Sequence, residues 1–198
     1  MPARAHPVAL VTGGANGIGR AIARHLTGNG WRVGVLDLPG SGLHRAFPRG
    51  TRHATLIEGD VGIEETAPRA VAAILERFGG LDALVSNAGI MIRKPLRRLT
   101  LAEWHRVLDT NLTATFLLAR AAEKPLHKAH GSIVTIASTR ALMSEPDTKA
   151  TGAAVRRRRS LKPRVIPVPP RFPPCISSAD ARHRPLGTAV QNGGMHGG

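Results

Sequence analysis

Over the first 150 residues, short apolar β-prone runs alternate with longer stretches whose apolar side chains recur every three or four positions. That alternation predicts βαβ units and a parallel sheet. Val8–Thr12 (VALVT) reads as a buried strand, and a glycine-rich loop over 13–19 follows it. A helix is predicted over 18–26, where Ile18, Ile22 and Leu26 share one face, and Gly28-Asn29-Gly30 stops it. Arg32–Asp37 (RVGVLD) is the second strand, broken off by Pro39, Gly40 and Gly42. Residues 54–57 form a third strand running into Glu58-Gly59-Asp60-Val61. A helix over 64–78 then carries Val71, Ile74, Leu75 and Phe78 as its apolar stripe. A fourth strand over 81–85 ends in Ser86-Asn87-Ala88-Gly89. The long helix predicted over 101–128 holds Trp104, Val107, Leu108, Leu112 and Leu117, which read as core packing. Residues 132–137 make the fifth strand, ending at Ser138. The expected fold class is α/β, with a doubly wound parallel sheet. Ligands of such sheets bind beyond the carboxyl ends of the strands.

Charge divides the 198 residues in two. Residues 1–150 hold 19 Lys and Arg against 12 Asp and Glu, whereas 151–198 hold 9 against 1 and 7 of the 15 prolines. Proline at that density removes backbone donors and opposes regular helix or central strand. The expectation is therefore an α/β domain over 1–150 and a poorly ordered basic tail, rich in Pro, Gly and Arg, over 151–198. The formal net charge of +15 raises the question of nucleic acid. One arginine run at 156–159 beside prolines, with no interleaved aromatics, reads instead as a solvated tail, and no nucleic-acid partner is expected.

Cys175 is the single cysteine, which excludes an intramolecular disulfide framework and a multi-cysteine zinc site. His127 and His130 stand three apart without a third ligand beside them, so no metal is expected. No apolar run reaches the roughly 18 residues that cross a bilayer, and the start MPARAHPVALVTGG lacks the apolar core of a signal peptide. A cytoplasmic protein with no membrane association is expected.

The loop Thr12-Gly13-Gly14-Ala15-Asn16-Gly17-Ile18-Gly19 lies between a strand and a helix. A pyrophosphate needs close backbone approach, free N–H groups and the positive end of a helix dipole, all of which such a loop supplies. Glycine loops also serve as plain turns. Asp37 sharpens the reading, because an acidic residue ending the second strand, 18 positions after Gly19, is placed to accept from a ribose 2′-OH. It would repel a 2′-phosphate, which favours NAD over NADP. The alternative for Asp37 is a turn-initiating aspartate before Leu38-Pro39-Gly40.

With these residues in place, the chain resembles the short-chain dehydrogenases/reductases over about residues 7–150. The glycine pattern is similar to that family's TGxxxGxG, Asp60-Val61 to its adenine-contacting Asp-Val, and Ser86-Asn87-Ala88-Gly89 to its Asn-Asn-Ala-Gly with the first Asn replaced. Asn111 matches the family's active-site asparagine and Ser138 its catalytic serine. The resemblance implies that Gly13, Gly17, Ile18, Gly19, Asp37, Asp60, Val61, Asn87, Ala88 and Gly89 hold NAD, and that Asn111 and Ser138 belong to the catalytic site. It implies hydride transfer to or from a CH–OH or carbonyl carbon of a small-molecule alcohol or ketone.

The same resemblance implies a tyrosine general acid/base about 13 residues after Ser138 and a lysine four residues later that lowers its pKa. Those positions hold Thr151 and Val155, and the chain contains no tyrosine. Impaired turnover is expected, with a catalytically dead dinucleotide-binding fragment as the alternative. The family's long helix and last two strands are not legible after Val155, so the Rossmann-type sheet that the resemblance implies is expected to be incomplete after the fifth strand. That helix also builds the family's oligomer interface, so the homo-oligomer implied by the family is not expected here. Parts of Ile133, Val134 and Ile136 are expected to be exposed as a result. The break in composition near residue 150 is what a G·C-rich gene read out of frame gives. A Tyr-x-x-x-Lys pattern is expected in another frame of the coding DNA, and its absence from both would sink that explanation.

Overall fold

Strand β1 (Val8–Thr12) is buried along its whole length, as an unbroken VALVT run requires of a central strand covered on both faces. The computed structural model describes residues 5–48, 52–138 and 146–160, all within one compact unit. Strand β1 pairs in parallel with β2 (Arg32–Asp37) on one side and β4 (Ala83–Ser86) on the other, with Leu10 beside Gly34 and Leu84. Strands β3 (Ala54–Glu58) and β5 (Ser132–Thr135) extend the sheet to the order β3-β2-β1-β4-β5. Connections leave β1 towards β2 on one side, and the chain later returns to β4 on the other. The carboxyl ends of β1 and β4 therefore part into a crevice.

Helices cover both faces. On one, α1 (Gly17–Gly28) and the short α2 (Leu43–Ala46) bring Ala23 and Leu43 onto Val11, Val33, Val35 and Val85. On the other, α3 (Thr66–Phe78) and α5 (Ala114–Ala129) bring Ile74, Leu117 and Leu118 onto Val8, Leu10, Leu36 and Leu84. Full burial of each such aliphatic side chain stabilises by about 1.5–3 kcal/mol, so the sheet between these layers is the rigid base of the crevice. Ile18 departs from the stripe it was expected to share with Ile22 and Leu26. It is 61% exposed, because the first turn of α1 stands at the mouth of the crevice rather than over the sheet.

The long helix predicted over 101–128 begins as α4 (Leu101–Leu108), passes through a π-helical turn at Asp109–Thr113, and continues as α5. Its start is a capping box, in which Thr100 accepts from the Glu103 N–H and the Glu103 carboxylate accepts from the Thr100 N–H. The Lys94 ammonium on the same carboxylate, with the Thr100 N–H, holds Glu103 below the usual carboxylate range. That pair anchors the chain after β4 to the start of α4.

The region expected to be a poorly ordered tail from residue 151 begins instead with helix α6 (Lys149–Ser160), so the boundary expected at 150 falls inside an element. Prolines start only at Pro163, and the alanine-rich stretch before them favours a helix. Ala150 and Ala154 bury themselves against Val107, with Ile90, Ile92, Leu99 and Trp104 packed around them. The remainder of that tail, Cys175 included, lies outside the described residues. At β5, Val134 is 47% exposed while Ile133 and Ile136 are half-buried against the two sheet layers. No helix among the described residues is long and apolar enough to cross a membrane.

Candidate functional site

The crevice is a cleft of about 520 Å³. The glycine loop lends it Gly13, Asn16, Gly17 and Ile18, and the end of β2 lends Asp37 and Leu38. Gly59, Asp60 and Val61 close it below β3, and Asn87, Ala88, Gly89 and Ile90 line it beyond β4. The far wall is helical, made by Arg106 from α4 and Thr110 from the π turn.

A hydrogen-bonded knot ties the loops after β1 and β4 together. The Thr12 hydroxyl accepts from the backbone N–H groups of Asn87 and Ala88, each at 3.0 Å. In return the Asn87 amide donates to the carbonyls of Thr12 at 2.9 Å and Gly13 at 3.2 Å. Asn87 is thus a clamp whose side chain is committed to the glycine loop while the residue lines the cleft. Gly19 does not line the cleft. It packs beneath the loop, where a Cβ would lie 2.1 Å from the Gly13 carbonyl oxygen and 2.5 Å from the Asn87 amide nitrogen. Because the first obstacle is backbone, Gly19→Ala is expected to destabilise the fold by about 3 kcal/mol and to abolish saturable cofactor binding. Urea unfolding and a ligand titration read the two effects separately.

The α1 amino end suits an anion. First-turn amides of a helix have no intrahelical acceptor, and α1 has neither a capping side chain nor an acidic residue in its first turn. Asn16, at the capping position, donates instead to the Ser41 carbonyl at 3.2 Å. Gly17 has φ +51° and open space where a Cβ would stand, so a ligand can approach its backbone closely. Asp37 braces the same loop: one carboxylate oxygen accepts from the Ala15 N–H at 2.7 Å and the other from the Leu38 N–H at 2.8 Å. A carboxylate has about four acceptor positions, so lone pairs remain for a diol in the cleft.

Across the cleft, Asp60 accepts from the Gly62 N–H at 2.9 Å through one oxygen and pairs with the Arg106 guanidinium through the other. The Thr110 hydroxyl, on the same wall as Arg106, is buried with no hydrogen-bond partner. An orphaned buried hydroxyl beside a cleft is what a polar ligand would satisfy. Among the described residues, no three His, Cys, Asp or Glu side chains gather as metal ligands.

The two catalytic candidates are not among the residues that line the cleft. Asn111 is buried in the π turn, where its amide donates to the Ile90 carbonyl at 2.8 Å and accepts from the Ile90 N–H at 2.7 Å. Both ends of that side chain are used to hold the strand-end loop, and one-turn π insertions recur at functional sites. Ser138 is exposed just beyond β5. Thr151 and Val155, one turn apart on α6, are both buried, at 5% and 8% exposure.

Residues 7–154 match the family model for the short chain dehydrogenases. The chain belongs to that family. It is 38% identical to an uncharacterized oxidoreductase of Thermotoga maritima, over 74% of this chain and 59% of the relative. Identity is also 38% with a 3-alpha-(or 20-beta)-hydroxysteroid dehydrogenase of Mycobacterium bovis, over 68% of this chain and 52% of that one. The crystal structure of a short-chain dehydrogenase/reductase, glucose/ribitol dehydrogenase, from Brucella melitensis superposes with a TM-score of 0.74 at 34% identity, covering 78% of this chain and 66% of that one. The chain thus spans between half and three-fifths of the length of these curated relatives.

In this family member Asp60 is legible in the sequence and its partner is not. Arg106 and Thr110 are four apart on a helix, a spacing that places them on one face. Nothing local shows that this face meets the turn after β3. Thr12 was legible as the first letter of the glycine motif, but its part in the knot appears only once β1 and β4 are neighbours.

Proposed function

We propose that this short-chain dehydrogenase binds NAD(H) in the cleft and derives from oxidoreductases of small-molecule secondary alcohols and ketones, with turnover severely impaired in this chain. The observation that carries the cofactor reading is Asp37, whose carboxylate lines the cleft at the end of β2. It would accept from a ribose diol and repel a 2′-phosphate. Gly13, Gly17, Ile18 and the α1 amino end would receive the pyrophosphate, and Asp60 and Val61 the adenine. Gly19 and Asn87 would hold the loops in place, with Ala88 and Gly89 against the ligand. The hydroxysteroid dehydrogenase among its relatives supports a CH–OH or carbonyl substrate.

Bound NAD(H) supplies a hydride acceptor or donor, and the protein must move a proton at the substrate oxygen. Ser138 would orient that oxygen by donating a hydrogen bond from its hydroxyl, and Asn111 would act from behind by fixing Ile90. Proton transfer fails at the next position. Thr151 has a hydroxyl that titrates far above neutral pH, and Val155 has no charge with which to shift it. Burial of both side chains favours the second reading, a dinucleotide-binding protein without catalysis. Location in the cytoplasm belongs to the same proposal.

The test is a titration of the purified chain with NADH, followed by nicotinamide fluorescence, with NADPH alongside. Saturable binding that prefers NADH is the expected result. Equal affinity for the two would remove the role given to Asp37, and no binding of either would overturn the cofactor reading.

A further inference from the structure

We propose that His6 and His53 form a separate site for one imidazole-seeking divalent cation, such as Zn²⁺, at the end of the sheet opposite the cleft. The two residues are far apart in sequence, and the strand order β3-β2-β1 brings them together. His6 lies just before β1 and His53 just before β3, on either side of the start of β2. Their rings meet edge to face, with centroids 5.9 Å apart and planes at 70°. Strand β2 fixes both backbones. The Arg32 N–H donates to the carbonyl of Pro7, beside His6, at 2.9 Å, and the Val33 N–H donates to the His53 carbonyl at 2.7 Å.

The hydrogen bond on His6 decides which of its nitrogens is left for a metal. Nδ1 lies 3.0 Å from the Gly30 carbonyl oxygen. That oxygen can only accept, so Nδ1 carries the proton and Nε2 of the neutral ring keeps its lone pair. A carbonyl on the far nitrogen is the support that metal-binding histidines use: it fixes the tautomer and makes the ligating nitrogen more basic. His53 is exposed, so its ring can turn a nitrogen towards the same point. Zinc held about 2.1 Å from each nitrogen sets two imidazole centres roughly 5–5.5 Å apart. A small rotation of His53 closes the remaining distance. No third His, Cys, Asp or Glu gathers with them among the described residues, so water would fill the other positions. Neutral nitrogen ligands select Zn²⁺, Ni²⁺ or Cu²⁺ over Mg²⁺ and Ca²⁺, which take oxygen. Only the folded chain holds the two rings together, so the bound ion stabilises the fold.

Calorimetric titration of the tag-free full chain with Zn²⁺, and with Mg²⁺ alongside, tests this. The parent is expected to bind one Zn²⁺ in its tightest class of sites and to unfold at a higher temperature with it, and Mg²⁺ to do neither. His53→Phe keeps a ring against His6 and removes the nitrogens. It is expected to bind Zn²⁺ about 100-fold more weakly, since partners of a ligand are by themselves worth about 10–100-fold. Thermal unfolding in metal-free buffer checks that this variant is folded, and His53→Gln serves as a second variant. A chain with His127→Ala and His130→Ala is expected to bind as the parent does. No uptake by the parent, a loss of less than about tenfold in the His53 variants, or an equal loss in the His127 and His130 chain would overturn the proposal.

Discussion

An Asp37→Ala chain is expected to bind NADH about 30-fold more weakly than the parent and to lose its preference over NADPH. Hydrogen bonds to a charged group are worth about 1.5–3 kcal/mol each, and a loss of about 2 kcal/mol is roughly 30-fold in affinity. The change acts twice. It removes the acceptor offered to a ribose diol, and it strips the Ala15 N–H of the carboxylate that receives it at 2.7 Å. Ala15 is only 1% exposed while that carboxylate is in place, so its N–H depends on Asp37 and the glycine loop loses its brace. The carboxylate would repel a 2′-phosphate in the parent, so affinity for NADPH is expected to fall less. Asp37→Asn separates the two effects, since a single amide oxygen can serve one of the two backbone amides but carries no charge. Paired fluorescence titrations of the three chains with both reduced cofactors give the answer. Unchanged affinities in Asp37→Ala would show that Asp37 is no more than a turn residue.

The sequence made the sheet readable because each strand holds a short β-prone apolar run with a Gly, Pro or Asn close to one of its ends, the pattern expected of strands in a parallel sheet. Val8–Thr12 and Arg32–Asp37 stand where the pattern puts them. Element ends were less legible: β4 reaches Ser86 and β5 stops at Thr135, as pairing with neighbours rather than local preference decides them. Glycines separated in role only in three dimensions. Gly17 lines the cleft with room for a side chain, whereas Gly19 is a point of backbone contact, yet both are letters of one motif. The π turn that buries Asn111 has no signature in DTNLT, and it forms where the amide finds both backbone groups of Ile90. Helix α6 was concealed by composition. Averaging 151–198 let the prolines beyond Pro163 outweigh the alanines before them, although a 12-residue helix needs only its own stretch.

Restoring the two family residues, in a Thr151→Tyr, Val155→Lys double variant, is expected to yield no NAD-dependent alcohol oxidation above the parent's and to cost stability by about 3 kcal/mol or more. The spacing is right for the chemistry, since positions 151 and 155 lie one turn apart on α6. The surroundings are not. Val155 is 8% exposed, in a turn packed on Val107 through Ala150 and Ala154. A lysine there must either leave that contact or bury its ammonium, and burial pushes its pKa down until it is neutral. A neutral amine does not lower the pKa of a phenol, so the pair fails electrostatically even with both side chains present. Thr151 is 5% exposed, and enlarging it to an aromatic ring overpacks the same seam, for about 1–3 kcal/mol. The two changes share neighbours, so their costs do not simply add. Thermal unfolding of the parent, both single variants and the double variant shows whether α6 tolerates either group. Oxidation of any secondary alcohol by the double variant, followed as NADH formation, would mean that α6 can turn those positions towards the cleft, and the loss of catalysis would then lie in two side chains alone.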